Sequence, residues 1–521
     1  MQQRSVLVLG LGESGLAMAR WCLREGARVR VADTRAAPPK FDALKAIEVR
    51  ADIRLGPFAD DLLDGIDLIA ISPGLAPIAE PQRSLLAHAA QSGIPVCSEI
   101  ELFAQKLAAL KASEGYMPRV VAITGTNGKT TVTRLVGKLC ESAGKSVAVA
   151  GNVSPAALDA LADVLDARHA SSRVLPAVWV LELSSFQLET TRSLVADAAA
   201  VLNITQDHLD WHGDMASYAK AKASIFAPST VRVLNRDDAR VMAMDADDLP
   251  SLTFVTFGLD QPDVPGSFGV ACEGIDKKDD ALRWLALAEG NDPEAEARGL
   301  ASLKVRKGRK SAKAVDAGSR DAIVVRRLMP TDALRIRGDH NVANVLAALA
   351  LGRAIGLPMA AMLRAVGAYR GEPHRVEFVL RRGGVDYIED SKGTNVGATV
   401  AALQGLGQKI VLIAGGDGKG QDFSPLAEPV TRHARGVVLI GKDKAALRAA
   451  LARTGVPLVD CTSLDDAVLE ASRIAEAGDA VLLSPACASL DMFRDYKERA
   501  EVFVAAVHRL AQVADVEATP C

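Results

Sequence analysis

The sequence predicts an α/β protein of three domains, each built around a mostly parallel β-sheet. Short β-branched runs alternate with helical stretches along most of the chain, which is typical of doubly wound sheets. At 521 residues the chain is too long for one ordinary domain. Polar and glycine-rich segments follow the predicted strands in three separate regions. We therefore place the domains at residues 1–113, 114–371 and 372–521.

The composition excludes several classes of protein. Hydrophobic residues make up 49% of the chain, enough to fill large cores, and the net charge is -3. This charge gives no general attraction to nucleic acid or to an anionic membrane. None of the seven cysteines forms a C-x-x-C pair, and no apolar run approaches the length of a membrane span. We expect a cytoplasmic protein with reduced thiols, no nucleic-acid partner and no membrane span.

The first domain opens with a dinucleotide-binding pattern. A strand predicted over 6–10 leads into Gly10-Leu11-Gly12-Glu13-Ser14-Gly15, and a second strand over 27–32 ends at Asp33. Taken alone, this pattern indicates NAD. Physically it requires only a phosphate at a helix N-terminus and a ribose beside a carboxylate, so any nucleotide diphosphate fits it. A third strand over 67–71 opens into Ser72-Pro73-Gly74, where ligands bind in open α/β sheets.

The second domain opens with a phosphate-binding loop. A strand predicted over 120–124 leads into Gly125-Thr126-Asn127-Gly128-Lys129-Thr130-Thr131, and a helix follows. The glycines let the backbone approach an anion, which also meets the N–H groups of the helix N-terminus. Lys129 supplies a charge for the outer phosphates, and the Thr130 hydroxyl suits a magnesium ion. The spacing is two residues shorter than G-x-x-x-x-G-K-[ST], so the loop is a variant.

Two later strands of this domain end at the same predicted sheet edge. Glu182 ends a strand over 178–183 and suits a magnesium ligand, because this ion takes hard oxygen ligands. His208 follows a strand over 198–204, and both a structural role and a role near the phosphates stay open for it. From about 260 to 327 the periodicity is lost. The basic tract over 304–313 indicates a solvated loop or hairpin insertion.

The third domain repeats the alternation of strands and helices. Its strands are predicted over 385–389, 409–414, 436–441, 456–459 and 480–484. The glycine-rich segment 415–420 lacks a following Ser or Thr and a clear helix, so we interpret it as a loop that lets Lys419 reach a small anion. Lys419 and the Ser489 hydroxyl suit the carboxylate of an amino-acid substrate.

Several segments together resemble the muramyl ligases, which are ATP-dependent enzymes that add amino acids to the peptidoglycan precursor. The loop over 125–130 is similar to the ATP loop of this family, which folylpolyglutamate synthetases share. The resemblance covers almost the whole chain except about 260–327. The other segments that carry it are Leu181–Gln187, Asp207-His208, Gly338–Asn344, Pro373-His374-Arg375, Asp390-Ser391-Lys392-Gly393-Thr394-Asn395 and Leu483–Asp491.

These segments narrow the resemblance to the family member that adds D-glutamate to UDP-N-acetylmuramoyl-L-alanine. The resemblance implies a Rossmann-like UDP-binding domain, a central P-loop-type ATPase domain and a C-terminal Rossmann-like domain. It also implies an ADP-forming amide ligase that works through an acyl phosphate, with ATP and two magnesium ions, and acts as a monomer. That activity belongs to cytoplasmic peptidoglycan precursor synthesis, and so to cell-wall biogenesis, cell shape and cell division.

The resemblance also implies roles for individual residues. Lys222 would be carbamylated, and its carbamate would act like a carboxylate ligand for magnesium. The UDP-linked substrate would contact Gly12, Ser14, Asp33, Thr34, Arg35, Ser72, Pro73, Gly74, Asn152 and Gln187. ATP would contact Gly125, Thr126, Asn127, Gly128, Lys129, Thr130, Thr131, Asn344, Arg375 and Asp390. D-Glutamate would contact Lys392, Thr394, Lys419, Ser489, Leu490 and Tyr496. The metal ligands would be Thr130, Glu182 and Lys222 as its carbamate, and the catalytic residues would be Lys129, Glu182, His208 and Lys222.

Three alternatives remain open at the level of sequence. An NAD-dependent oxidoreductase would leave the Lys129 loop unexplained. Another muramyl ligase or a folylpolyglutamate-type ligase would share that loop, but the folylpolyglutamate type would leave the N-terminal nucleotide pattern unexplained. A non-enzymatic nucleotide switch or scaffold would use the basic tract as a docking segment.

Overall fold

A computed structural model describes residues 3–48, 52–171, 174–245, 254–273, 282–290 and 323–517. Within these residues the chain forms two compact units. The first comprises Met1–Ile204, His208–Ala333 and Asn344–Gly367, and the second comprises Thr205–Asp207, Leu334–Ala343 and Ala368–Cys521. The first unit holds two sheets and the second unit holds one.

The first sheet is fully parallel, with strand order β3-β2-β1-β4-β5. Its strands are β1 Ser5–Leu9, β2 Arg28–Asp33, β3 Asp52–Leu55, β4 Leu68–Ile71 and β5 Val96–Cys97. Its helices are Glu13–Arg24, Phe41–Ile47, Gln82–Gln91 and Glu99–Glu114. The strand order changes direction between β1 and β4, and ligands bind at such a switch point in open α/β sheets.

The second sheet has nine strands in the order β14-β13-β12-β11-β10-β9-β6-β8-β7. Strands β6 to β12 pair in parallel, while β12, β13 and β14 are antiparallel. The strands are β6 Arg119–Thr124, β7 Val147–Gly151, β8 Val178–Glu182, β9 Ala198–Val201, β10 Val231–Asn235, β11 Phe254–Phe257, β12 Phe268–Glu273, β13 Leu282–Glu289 and β14 Val324–Pro330. The helices are Lys129–Ser142, Ala157–Ser171, Ser185–Glu189, Leu209–His212, Met215–Ala223, Ala239–Met242, Asp339–Ala354 and Met359–Ala368.

The helix Glu99–Glu114 connects the first two sheets and is longer than the sequence predicts. The sequence predicts a last strand and a short helix within 95–103, and a linker over 111–118. Ser98 caps the helix by accepting a hydrogen bond from the amide of Glu101, and Gly115 ends it at a φ of 67°. The face that it buries belongs to a hydrophobic cluster that runs through both sheets, including an edge-on contact of Phe103 with Trp179 at 5.0 Å. The first two domains therefore share one core, and all four tryptophans of the chain lie in this unit.

The third sheet has the order β15-β16-β20-β17-β18-β19, with an antiparallel edge strand on a parallel sheet. Hydrophobic clusters cover both of its faces. The strands are β15 Glu377–Arg382, β16 Val385–Glu389, β17 Ile410–Gly415, β18 Ala434–Ile440, β19 Leu458–Asp460 and β20 Ala480–Leu483. The helices are Val396–Gly405, Ala427–His433, Lys444–Leu451, Leu464–Ile474 and Tyr496–Glu517.

The predicted α/β class and the parallel core strands are confirmed. The antiparallel strands β12, β13 and β14 occupy part of the stretch over 260–327, in which the sequence shows no clear periodicity. The basic tract over 304–313 lies outside the described residues. Across the described residues, no helix combines the length and apolar character that a membrane span requires.

Candidate active site

The phosphate-binding loop lies between β6 and the helix Lys129–Ser142, as predicted. Gly128 is the N-cap of this helix at a φ of 83°, and having no side chain it leaves the N-terminus open to an anion. A Cβ atom on Gly128 would lie 2.4 Å from Oδ1 of Asn344. The Lys129 ammonium donates to the carbonyls of Gly125 and Thr126, at 2.8 Å each. The loop thus has the shape and the charge of a phosphate site.

Asn203, which follows β9, fixes the conformation of this loop. Its side-chain oxygen accepts from the amide of Asn127 at 2.8 Å, and its side-chain nitrogen donates to the carbonyl of Asn127 at 3.1 Å. Its backbone carbonyl accepts from the amide of Thr126 at 2.9 Å. The Thr126 hydroxyl is also 3.0 Å from the Tyr218 hydroxyl. Sequence reasoning missed Asn203, although its place after a buried strand was a usable signal.

Glu182 supplies an oxygen that suits a divalent cation at this edge. It pairs with Ile123 across β6 and β8, so it lies beside the strand that enters the loop. Its Oε1 accepts from the Asn152 side chain at 3.1 Å, whereas its buried Oε2 has no hydrogen-bond partner among the described residues. An unpartnered buried carboxylate oxygen costs free energy unless a cation or donor meets it. Together with the Thr130 hydroxyl, the donor set fits magnesium.

Lys222 is buried and points at the same loop. Its ammonium donates to the Gly125 carbonyl at 2.9 Å and to the Thr124 hydroxyl at 3.4 Å, and it lies 4.6 Å from the centre of the Tyr218 ring. The resemblance implies a metal-ligand role for Lys222, and the structure brings this side chain to the phosphate-binding loop. Its carbamylation stays a prediction.

His208 and the helix that follows it, Leu209–His212, contribute rings to an aromatic cluster around Phe186. His208 has a φ of 54°, and its ring packs edge-on against Phe186 at 4.7 Å. His212, which sequence reasoning missed, is buried and lies 2.9 Å from the Ser185 hydroxyl through Nε2. Burial, followed by the charge of Lys222, lowers the pKa of His212 to about 4, so its imidazole is neutral near pH 7. The catalytic role of His208 stays a prediction.

The first sheet brings its predicted ligand residues together at the switch point. Gly10 follows β1, Thr34 and Arg35 follow β2, and Ser72 follows β4, and these are three adjacent strands. The Ser72 hydroxyl donates to the Gly10 carbonyl at 2.8 Å. A Cβ atom on Gly15 would lie 1.9 Å from that carbonyl, so only glycine allows the helix to approach the loop this closely.

Asp33 organises this edge from a buried position. It accepts from the amide of Leu11 at 2.7 Å, and from the amide and the side chain of Arg35 at 2.9 Å and 2.6–2.9 Å. Burial would raise the pKa of Asp33, but these hydrogen bonds outweigh it and lower the pKa. The carboxylate therefore holds the glycine loop and the exposed Arg35 together.

A cavity within the first unit is lined by Ser72 and Pro73, which follow β4, and by Gln187 on the helix Ser185–Glu189. Gln187 is buried, and its side-chain oxygen accepts from the amide of Ser184 at 3.0 Å in a capping box. Asn152 is exposed and follows β7. Its backbone amide donates to the backbone carbonyl of Glu182 at 2.8 Å. The side-chain oxygen of Gln187 is thus already engaged in the helix cap. A role for Gln187 in substrate binding stays a prediction.

The second unit has a separate cluster of predicted site residues, around the ends of β16 and β20. Asp390 is buried and accepts from the Ser484 hydroxyl at 2.7 Å, and burial raises the pKa of Asp390 to about 7. Lys392 lies over the Tyr496 ring, with its nitrogen 3.7 Å from the ring centre. His374 is 2.8 Å from buried Glu389 through Nδ1, and burial raises the pKa of this glutamate.

The remaining predicted residues of this unit surround the same loops. Lys419 is exposed at a φ of 51°, and its amide donates to Asp417 at 3.0 Å. The backbone of Asp417 bridges to that of Ala488, which places the glycine-rich segment against the segment that carries Ser489. Ser489 is buried, whereas Leu490 is 70% exposed. Thr394 and Arg375 are half-buried in this unit, and Asn344 belongs to the first unit.

Comparison with known proteins identifies the family. Three family models match the chain, described as Mur ligase MurD-like N-terminal domain at residues 4–98, Mur ligase middle domain at residues 123–273 and Mur ligase glutamate ligase domain at residues 374–487. A UDP-N-acetylmuramoylalanine–D-glutamate ligase of Cupriavidus pinatubonensis is 58% identical over 516 residues, which cover 98% of each chain. The chain belongs to the Mur ligase family. Mur ligases are ATP-dependent amide ligases, so this chain is an enzyme of that class.

Another relative and two solved structures support the same family and fold. A protein of Burkholderia pseudomallei with the same name as the Cupriavidus enzyme is 58% identical over 515 residues, again covering 98% of each chain. The structure of the UDP-N-acetylmuramate–alanine ligase MurC from Thermotoga maritima has a TM-score of 0.55 at 18% identity and covers 97% of this chain and 99% of that one. The MurF ligase from Thermotoga maritima, solved with ADP, has a TM-score of 0.53 at 15% identity and covers 98% and 96%. These two structures confirm the three-domain α/β fold.

Proposed function

We propose that this Mur ligase joins D-glutamate to UDP-N-acetylmuramoyl-L-alanine, and that it converts ATP to ADP and phosphate in doing so. Relatives that carry this activity in their names are 58% identical along 98% of the chain. The observation that carries the proposal is the phosphate-binding loop, with buried Glu182 beside it and its second oxygen unpartnered among the described residues.

The first chemical step is phosphoryl transfer. The carboxylate of the UDP-linked substrate attacks the γ-phosphorus of ATP and forms an acyl phosphate, and ADP leaves. A protein contributes to such a transfer mainly by positioning the reactants and neutralising charge. Lys129 and the N–H groups at the start of its helix supply that charge at the loop.

Magnesium would be held by Thr130 and Glu182, with a second ion beside Lys222 as its carbamate. A magnesium ion in this place would withdraw charge from the phosphoryl oxygens. The orientation of Lys222 toward the Gly125 carbonyl and the Thr124 hydroxyl supports its place in this set.

The second chemical step forms the amide. The amine of D-glutamate attacks the acyl carbon, the tetrahedral intermediate collapses, and phosphate leaves. Lys392, Lys419 and Ser489 would hold the carboxylates of D-glutamate, because ammonium and hydroxyl groups are strong partners for carboxylates. We expect His208 to stabilise the intermediate or to relay a proton.

The experiment that tests this function measures phosphate release from ATP with UDP-N-acetylmuramoyl-L-alanine and a panel of D- and L-amino acids. We expect release that depends on D-glutamate. Release that depends on L-lysine or diaminopimelate instead would contradict the assignment and favour another Mur ligase. No release with any amino acid would favour a nucleotide switch. The cytoplasmic location and the monomeric state stay predictions, to be checked by fractionation and by light scattering.

A further inference from the structure

Arg499 is a buried arginine at the start of the helix Tyr496–Glu517, and it connects three segments of the second unit. It is 1% exposed. Its Nε donates to the Ser391 hydroxyl at 2.9 Å, its Nη2 donates to the Ser391 carbonyl at 2.9 Å, and its Nη1 donates to the Cys487 carbonyl at 3.1 Å. The Ser391 hydroxyl in turn donates to the carbonyl of Tyr496 at 2.8 Å.

Each of the three segments carries or adjoins a residue that the proposed function or the family resemblance assigns to D-glutamate. Ser391 directly precedes Lys392, Cys487 lies two residues before Ser489, and Tyr496 begins the helix. The carbonyl and the hydroxyl of Ser391 both accept from one guanidinium, so this loop cannot rotate without breaking two hydrogen bonds. The guanidinium is therefore a common anchor for the segments.

Within the described part of the chain, the guanidinium of Arg499 hydrogen-bonds only to neutral groups, although the carboxylates of Asp491, Glu389 and Asp390 favour its charge. The three acceptors are a hydroxyl and two carbonyls, all of them neutral. Burial lowers the pKa of Arg499 to about 10, so the group is still a cation at pH 7. Apolar residues of similar volume often replace buried ion pairs without loss of stability. A planar fork of donors, in contrast, can hold several acceptors in a fixed geometry that a lysine does not reproduce.

We propose that Arg499 is a positioning residue for the acidic amino-acid substrate. It holds the loops of Ser391 and Cys487, and through the Ser391 hydroxyl the backbone of Tyr496, in the arrangement that binds D-glutamate. This inference rests on the proposed function and deepens it.

The test compares Michaelis constants for the three substrates in an Arg499→Lys variant. This change keeps the charge and removes the fork of donors. We expect the KM for D-glutamate to rise at least tenfold, while the KM for ATP stays within twofold and kcat within threefold. Ser391→Ala removes the hydroxyl that joins Arg499 to Tyr496, and we expect it to raise the same KM severalfold. In the double variant the two effects should be less than additive in free energy, because they act on one network.

Arg494→Lys is the matched control, since Arg494 is exposed and pairs with Glu498 near the start of the same helix. It should leave all three Michaelis constants unchanged. An unchanged KM for D-glutamate in Arg499→Lys and Ser391→Ala, with normal activity of the unaltered protein, would overturn the inference alone. Equal losses for all substrates together with a lower Tm would also overturn it, since they indicate a purely structural role. Failure of the unaltered protein to release phosphate with D-glutamate would overturn the proposed function and the inference with it.

Discussion

Lys129 illustrates how a single residue is prepared for its substrate. Its ammonium donates to two backbone carbonyls of its own loop. A phosphate oxygen is a stronger partner than a carbonyl, because the hydrogen bond is then charge-assisted on both sides. The lysine is thus held at the loop before the substrate arrives.

Replacing Lys129 by alanine should abolish most of the activity. Removal of one charge from a phosphoryl-transfer site costs about 3 kcal/mol, so we expect phosphate release to fall by about 100-fold or more. The control is Lys138→Ala, because Lys138 lies on the same helix, is exposed and pairs with Glu141. A full rate in Lys129→Ala would remove the proposed role of the loop.

Replacing Glu182 by glutamine should weaken magnesium-dependent nucleotide binding. The change keeps the shape but removes the charge of the oxygen that lacks a hydrogen-bond partner among the described residues. We expect the magnesium concentration for half-maximal ATP binding, measured by calorimetry, to rise at least tenfold. Glu141→Gln on the protein surface should leave this concentration unchanged. Equal values for the two variants would show that Glu182 is no ligand.

The sequence predicted residues that belong to local motifs and missed those whose role depends on distant contacts. Lys129 and Glu182 were predicted from a loop pattern and from a strand end. The contact of Arg499 with Ser391 spans 108 residues, and that of Asn203 with Asn127 spans 76. No local pattern encodes such pairs, so only the folded chain brings them together.

At the scale of secondary structure, buried strands were predicted better than edge strands. The core strands of all three sheets are continuous apolar runs, whose pattern is clear. The strands β3, β14 and β15 lie at sheet edges, and they mix polar and apolar residues. The helix Glu99–Glu114 exceeded its prediction because Gly115, which ends it, lies twelve residues beyond Phe103, within the segment 111–118 that the sequence predicts as a linker.

Gly128→Ala tests whether the phosphate-binding loop needs glycine for its positive φ or because a Cβ atom would collide with Asn344. Gly144 is the matched control, since its φ of 72° is similar but nothing lies within 4 Å of its Cβ position. An alanine at positive φ costs about 1 kcal/mol, so both variants should lose about that much stability in chemical denaturation. Only Gly128→Ala should weaken ATP binding, by tenfold or more, because its Cβ would displace Asn344. Equal ATP affinities would contradict this account.

At the scale of the whole molecule, the shared core of the first two domains contains a buried acid. Glu99 is 1% exposed and accepts from the amide of Leu158 at 2.9 Å, at the start of the helix Ala157–Ser171. Burial raises the pKa of Glu99 to about 7. Between the unfolded pKa near 4.5 and this value the folded state binds more protons, so the contribution of Glu99 to stability falls as the pH rises.

Glu99→Gln should therefore change the pH dependence of unfolding. Relative to the unaltered protein, the glutamine variant should gain stability between pH 5 and pH 8, by about 3 kcal/mol at most. Urea denaturation at both pH values measures this difference. Glu114→Gln, an exposed position at the other end of the same helix, is the control. A glutamine variant whose relative stability is the same at both pH values would contradict the role of Glu99.

The distribution of tryptophan gives the shared core an optical consequence. Because Trp21, Trp179, Trp211 and Trp284 all belong to the first unit, intrinsic tryptophan emission reports on that unit alone. Circular dichroism in the far ultraviolet reports on the helices and strands of both units. If the emission curve and the dichroism curve coincide during denaturation, the two units unfold together. If the curves separate, the difference between them isolates the unfolding of the unit that carries Arg499.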